Sequence, residues 1–519
     1  MQCLHKSDYE GYKESIASRA EGTCTWFLQH EKYLSWLKEE NSAFLWLSAD
    51  PGCGKTVLSS FLVDELKSDR SQATFPATIC YFFCDDKIES QKDGAAVLCG
   101  LTHQLLCANP SLIHHATHHF KIKGSRSANE IRTLWDILDA ASADSEAGNI
   151  VCIIDAIDEC EEFSRSLLIK WFMEYFTKSP GQRRNFMKVI MTSRGYQSIE
   201  IAFLKGIMVG ERHQSIESAS HFASQVRLMA ENLTESINSD VGLVVKKRLR
   251  DVQAITSCSE ETRLKIEGRL TENADRTFLW VSLILDLLEN STEASEDAFD
   301  RITTSLPRKL YEIYEKILRD MPEQEQAKKA LTLLVTALRP LTLEELNIAL
   351  HLRETDRSIE DLKSRLEPAM GRKIKGLCGP FVRIIDSRVH LVHQTAKEFL
   401  VRPYNNATSL KNSWKHCLEP AESNFVLSGI CIWYLSFDIF KQQPLVFEAQ
   451  TQAERDHQVE NYVKNHDFLD YAAKYWGNYF RRSESYGEQG LLKPVLGLCD
   501  SQSGRLFLSC RRFPGILRL

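Results

Sequence analysis

The sequence predicts an α/β fold: a parallel sheet with helices on both faces, followed by helical and winged-helix-like regions. Three observations carry this. Short apolar runs recur at 43–47, 78–83, 150–154 and 189–192, apolar throughout, as strands buried on both faces are. Stretches with helical spacing lie between them, near 94–107, 131–142 and 164–178. Strands that alternate with helices form parallel sheets covered on both sides.

The elements follow in order. Residues 1–42 read as a helical lead-in, with Trp26, Phe27, Tyr33, Trp36 and Leu37 on one apolar face. The sheet domain is expected over 43–215. Ala43–Leu47 runs into the turn Ser48-Ala49-Asp50-Pro51-Gly52, and a helix begins near Lys55. Beyond about 200 the strands fade, so 216–322 is expected to be helical, with the charged stretch 290–305 as a candidate joint. Residues 323–402 suit a winged helix: helices, a break at Arg339-Pro340, then 381–385 and 388–392 flanking Asp386-Ser387, a hairpin signal. A helical linker is expected over 403–483 and an irregular tail over 484–519.

Composition bounds the function. At roughly 150 residues per domain, 519 residues make about three or four domains. The net charge of −6 provides no field for nucleic acid or an anionic membrane. No apolar run reaches the roughly 18 residues of a membrane span, and the N-terminus carries no apolar signal core. The expected location is intracellular, in the cytoplasm. The fifteen scattered cysteines fit reduced thiols acting as small hydrophobes.

Residues 49–56, Ala-Asp-Pro-Gly-Cys-Gly-Lys-Thr, follow the phosphate-loop pattern GxxxxGK[ST], with Ala49 in place of the first glycine. Gly52 and Gly54 allow the backbone angles that turn successive N–H groups inward, and the following helix points its positive dipole end at the same place. The expected binding stretch is Gly52, Cys53, Gly54, Lys55, Thr56 and Val57. Lys55 reaches the β- and γ-phosphates of a bound nucleotide and Thr56 places its hydroxyl on Mg²⁺.

The run Ile150–Ile154 ends in Asp155, with Asp158 and Glu159 just beyond. An acid at the tip of a buried strand is a Walker B arrangement, so Asp155 is the expected Mg²⁺ partner with Thr56. Asp158 or Glu159 can orient or deprotonate an attacking water, and Glu159 is the expected base. Three carboxylates this close call for a cation. At the next strand tip, Thr192, Ser193 or Arg194 can sense the γ-phosphate; the fixed charge and planar fork of Arg194 suit that task.

DPGCGKT, IIDAIDEC and IMTSR together resemble the NACHT family of STAND NTPases, P-loop signalling proteins related to AAA+ ATPases. The resemblance is greatest to fungal NACHT proteins implicated in heterokaryon incompatibility and innate-immune-like signalling. Gly22–Phe27 resembles that group's lead-in, Thr277–Val281 its small helical domain, and Arg339–Leu346 the approach to its winged helix. His393–Leu400 matches the winged-helix end, which implies that His393 contacts the β-phosphate of bound ADP in the resting state. Phe468–Ala473 and Trp476 resemble a linker that usually precedes repeats. Members often carry an effector domain before and a repeat array after these regions; neither is recognisable in these 519 residues. An adenine-contacting proline is not evident near Arg276-Thr277.

Other constellations are weaker. His114-His115 and His118-His119 form two i, i+4 pairs, and Cys99, His103 and Cys107 share a helical spacing, but no partner obvious in the sequence completes a metal site. Lys246–Arg248 with Arg250 suits a solvated helix face.

The resemblance implies an ATP/ADP switch with Mg²⁺: closed with ADP, self-associating when ATP-bound, and hydrolysing slowly. No nucleic-acid or membrane partner is expected. The alternatives are an AAA+-like ATPase motor and a non-hydrolysing adaptor that holds nucleotide as a structural ligand.

Overall fold

The computed structural model describes residues 1–68, 75–177, 185–210, 227–229, 233–251, 259–274, 277–289, 309–321, 323–403, 413–442, 452–483 and 491–499. The chain divides into two compact units, Met1–Leu306 and Pro307–Leu519.

The first unit is built on a five-stranded parallel sheet. Its strands are β1 (Ala43–Ser48), β2 (Thr78–Phe83), β3 (Ile150–Asp155), β4 (Met187–Ser193) and β5 (Arg227–Met229), in the order β2-β3-β4-β1-β5. β3 and β4 are buried along their whole length, and β1 and β2 at every residue but the first. Layers of helix on both faces explain why these strands are apolar runs and not alternating ones. The phosphate loop follows β1. Asp155 ends β3 and Ser193 ends β4, so all three tips lie along the carboxyl edge, where open parallel sheets bind ligands.

The helices of this unit include α1 (Tyr9–Ser15), α2 (Glu31–Lys38), α3 (Lys55–Lys67), α4 (Gly94–Ala108), α5 (Ile113–Lys123), α6 (Ile131–Ala143) and α7 (Glu162–Thr177). The lead-in is less helical than its composition predicts. Between α1 and α2 the chain has only a short 3₁₀ turn, Thr25–Gln29, entered through Cys24 at φ 67. Hydrogen bonds hold this segment: the backbone N–H of Cys24 and the indole N–H of Trp26 both donate to Asp240, at 2.8 and 2.9 Å. β5 corrects the helical reading of 216–322. It pairs with β1 at Trp46–Ser48, so the sheet extends past residue 215. A three-residue strand is too short for periodicity to reveal.

Lys188 is a buried cation on β4. Its ammonium donates to the Leu37 carbonyl at 2.7 Å and lies over the Phe75 and Phe186 rings, and burial lowers its pKa to about 8. It ties the end of α2 to the sheet.

In the second unit, helices Leu310–Arg319, Gln324–Thr336, Leu343–His351 and Met370–Cys378 accompany a three-stranded sheet of β6 (Leu341–Thr342), β7 (Val382–Ile385) and β8 (Arg388–Leu391), ordered β6-β8-β7. The β7–β8 turn is Asp386-Ser387, at φ 48 and 60. Two positive φ angles in a two-residue loop mark a type I′ turn, whose twist matches the paired strands. Arg339 grips Glu345 through two hydrogen bonds of 2.7 Å, and Glu345 closes a capping box with Thr342. The expected break at Arg339-Pro340 is thus a braced helix entry. Helices Pro420–Leu435 and Leu469–Arg482 follow. A last helix, Leu492–Cys499, corrects the reading of 484–519 as irregular; the charged stretch 290–305 and residues 500–519 lie outside the described residues.

The described cysteines are free thiols. No described helix is long and apolar enough to cross a membrane.

Candidate nucleotide site

Gly52 and Gly54 adopt φ 78 and 82, the left-handed backbone that the loop requires. Ala49 is buried and lies outside the positive-φ residues, and its N–H donates to Ser193 O at 3.1 Å, so a methyl group costs nothing there. Helix α3 starts at Lys55 with no capping side chain and no acid in its first turn. That leaves the helix N-terminus to an anion. Gly52, Cys53, Gly54, Lys55, Thr56 and Val57 are all partly accessible.

The loop packs on the start of helix Phe278–Glu289. The Phe278 N–H donates to Gly52 O at 2.9 Å. A Cβ on Gly52 would lie 2.8 Å from the Leu279 Cβ, and one on Gly54 would lie 3.1 Å from the Phe278 ring. Both glycines are therefore demanded twice, by backbone angle and by close approach. The sequence marks Thr277–Val281 as a helical element but gives no sign that it braces the phosphate loop.

The Lys55 ammonium donates to the carbonyls of Ala49 and Asp50, at 2.9 and 3.0 Å. Its enclosure lowers its pKa, while the charges of Asp158, Cys53 and Asp155 act the other way. Asp155 is 1% exposed. Its Oδ1 accepts from Ser59 and Thr192, both at 2.7 Å, and the nearby Thr56 hydroxyl helps hold the carboxylate charged. Burial raises the Asp155 pKa; the hydroxyl donors and the Lys55 charge offset part of that rise. Thr56 and Asp155, one hydroxyl beside one buried carboxylate, fit a small hard cation such as Mg²⁺ that keeps most of its waters. Ser59 was not foreseen as a site residue. It lies one turn after Thr56, on the buried face of α3, and that spacing is the signal that could have found it.

Beyond Asp155 the chain turns through Ala156, at φ 52, whose N–H donates to the Thr192 hydroxyl at 2.9 Å. This turn separates the acids. Asp158 pairs with Arg194: the guanidinium Nε lies 3.2 Å from Oδ2, and the Arg194 N–H donates to Oδ1 at 3.1 Å. Both side chains are almost fully buried, 3% and 7% exposed. Arg194 also donates to the Tyr196 hydroxyl at 2.8 Å. Ser193 accepts from the Trp46 indole and donates to the Arg194 carbonyl, both at 2.8 Å.

Glu159 joins a different group. One oxygen from each of Asp85, Asp86 and Glu159 lies within 4.8 Å of the others. Burial, then the charges of Asp85, Asp86 and Asp158, raise the Glu159 pKa to about 8, against a small opposing effect of Lys87. Tyr12 of α1 donates to Asp85 at 3.0 Å, linking the lead-in to this cluster. The three acids 155, 158 and 159 therefore do not form the single cation-demanding cluster expected from their spacing. Hydroxyls answer Asp155, a guanidinium answers Asp158, and a retained proton answers Glu159.

In the second unit, His393 is the N-cap of helix Gln394–Leu400. Its Nδ1 accepts from the Thr395 N–H at 3.2 Å and sits 3.0 Å from the Thr395 hydroxyl, which meets the buried Tyr314 hydroxyl at 2.8 Å. An acceptor role for Nδ1 assigns the proton of the neutral ring to Nε2.

Residues 22–194 match the family described as Nephrocystin 3, N-terminal. Residues 314–409 match the winged helix domain of GPI inositol-deacylase. The chain is 29% identical over 394 residues to the vegetative incompatibility protein HET-E-1 of Podospora anserina, covering 75% of this chain and 26% of that protein. It thus spans about a quarter of the length of this curated relative. Among solved structures, the ORC2 protein of Aeropyrum pernix in ADPNP–ADP complexes aligns at 12% identity and a TM-score of 0.31, over 74% of this chain and 89% of that one. The Walker-type ATPase of Pyrococcus abyssi aligns at 12% identity and 0.33, over 74% and 98%.

Proposed function

We propose, from the premise that residues 22–194 are a NACHT-like P-loop region and 314–409 a winged helix, that this protein is an ATP/ADP-operated signalling switch. The observation that carries the proposal is the meeting of two distant stretches. Ser59, one turn beyond Thr56 on α3, donates to Asp155 at the end of β3 at 2.7 Å, and Lys55 lies within the field of both Asp155 and Asp158.

The glycine loop and the free end of α3 bind the polyphosphate through backbone N–H groups. Lys55 exchanges its two carbonyl acceptors for phosphate oxygens, a gain because carbonyls are weaker partners for an ammonium than anionic oxygens. Thr56 and Asp155 would hold Mg²⁺, which would neutralise phosphate charge. Arg194, held by Asp158, reads the γ-phosphate from the tip of β4. Glu159 acts as base once it loses its proton, so hydrolysis is slow near neutrality. Neighbouring charges in trans can raise such rates by roughly 10³–10⁵, so self-association of the ATP form can reset the switch. The Nε2–H of His393 donates to the β-phosphate of ADP in the resting form. Moving the population from 1:99 to 99:1 takes about 5.5 kcal/mol of differential affinity, drawn from the third phosphate and its cation. The likeness to HET-E-1 supports a role in incompatibility-type signalling.

The test is the nucleotide released on denaturing the purified protein. Retained ADP supports a resting switch. A protein that carries no nucleotide and binds neither ADP nor ATP·Mg²⁺ by calorimetry overturns the reading.

A further inference from the structure

We infer a divalent-metal site of the zinc type on the surface of the first unit, formed by His114, His115 and Asp144. The histidine run gave no obvious acidic partner in sequence; the fold supplies one. Asp144 caps the C-terminus of α6, and both histidines stand in the first turn of α5. Consecutive helical residues project about 100° apart, so sequence spacing alone disfavours a shared ligand. Here the two rings lie 3.9 Å apart between centroids and turn their Nε2 atoms to the same oxygen. His115 Nε2 is 2.8 Å and His114 Nε2 3.7 Å from Asp144 Oδ2.

The hydrogen bonding around this group favours a cation. His114 Nδ1 lies 2.8 Å from the Ser111 carbonyl. A carbonyl can only accept, so Nδ1 carries a proton, and in the neutral ring Nε2 then has the lone pair. That lone pair faces a carboxylate oxygen, an arrangement of two acceptors that a positive centre between them makes favourable. An imidazole oriented by a carbonyl on its other nitrogen is the usual outer support of a metal-bound histidine. The carboxylate is oriented too, since Oδ1 accepts the Glu146 N–H at 2.9 Å.

Zn²⁺ bonds of about 2.0–2.1 Å in a tetrahedron set ligand atoms about 3.3 Å apart. The observed 2.8 and 3.7 Å bracket that value, and all three ligand atoms lie within 4.8 Å of one another. Two imidazoles and one carboxylate select zinc-like ions over Mg²⁺ or Ca²⁺. His114 is 64% exposed, which leaves room for entry and for water as the fourth ligand. The Asp144 carbonyl accepts from Asn185, just before β4, at 2.8 Å, and from the Ala147 N–H, just before β3, at 3.1 Å. A bound ion would therefore clip α5 to the amino edge of the sheet, at the opposite end of β3 from Asp155.

The full chain, reduced and saturated with Mg²⁺, is titrated with Co²⁺ as a visible probe. The expected result is one equivalent with a tetrahedral d–d band and no thiolate charge-transfer band. Affinity falls at least tenfold in both His115→Ala and Asp144→Asn, the latter keeping an acceptor for the Glu146 N–H. Zn²⁺ should displace the Co²⁺ and raise the Tm of the parent protein but not of either variant. The site is refuted by no Co²⁺ uptake, by thiolate bands alone, or by uptake that both variants retain and a His118→Ala/His119→Ala variant loses. Nucleotide binding plays no part in these readouts.

Discussion

Glu159→Gln tests the electrostatics of the acidic edge directly. In the folded protein, burial and the Asp85, Asp86 and Asp158 carboxylates raise the Glu159 pKa from its ordinary 4.5 to about 8. A carboxyl with a raised folded pKa binds its proton more tightly when native. Its contribution is largest below the unfolded value and is lost as pH rises towards the folded one. Between about pH 5.5 and 8.5 the unfolded chain has already lost this proton, while the native state largely keeps it and then surrenders it near the top of the window. At 1.36 kcal/mol per pKa unit, that window removes about 3 kcal/mol of stability. Glutamine mimics the protonated acid and does not titrate. At roughly 2 °C per kcal/mol for a unit of this size, the wild type should lose about 6 °C more than Glu159→Gln across the window. The assay is thermal unfolding of both proteins at the two pH values, without nucleotide and with EDTA. Parallel pH profiles would refute the claim that Glu159 is held protonated.

The remaining predictions concern the loop, its supports and the winged helix. Lys55→Ala should abolish nucleotide binding with the fold intact, read by calorimetry beside circular dichroism. Ser59→Ala should cost about 1.5–3 kcal/mol in denaturant unfolding, because a buried carboxylate loses a donor; it and Asp155→Asn should both weaken Mg²⁺ dependence. Gly52→Ala should impair nucleotide binding as severely as Lys55→Ala, since its Cβ would overlap Leu279 and Thr277 at 2.8 and 2.9 Å. Thr395→Val should speed ADP release in the same direction as His393→Ala, because it removes a hydrogen-bond partner of His393 Nδ1. Asp386→Asn with Ser387→Gly should stabilise the hairpin by about 0.5–1 kcal/mol, measured by urea unfolding, since both positions hold positive φ.

The sequence determined what local chemistry determines. Four buried strands were visible because strands covered on both faces must be apolar throughout, and the phosphate loop because only glycines reach φ near 80 without strain. The Asp386-Ser387 hairpin was likewise written in adjacent residues. Tertiary structure decided whatever depends on distant chain. It chose the partner of each acid, dividing Asp155, Asp158 and Glu159 among hydroxyls, a guanidinium and a second carboxylate pair that share no sequence neighbourhood. It added β5, whose three residues are stabilised by pairing with β1 and not by their own pattern. It packed Phe278 against Gly54 and brought Asp144 to His115. Periodicity records which face of an element is covered, while the identity of what covers it is set only when the chain closes.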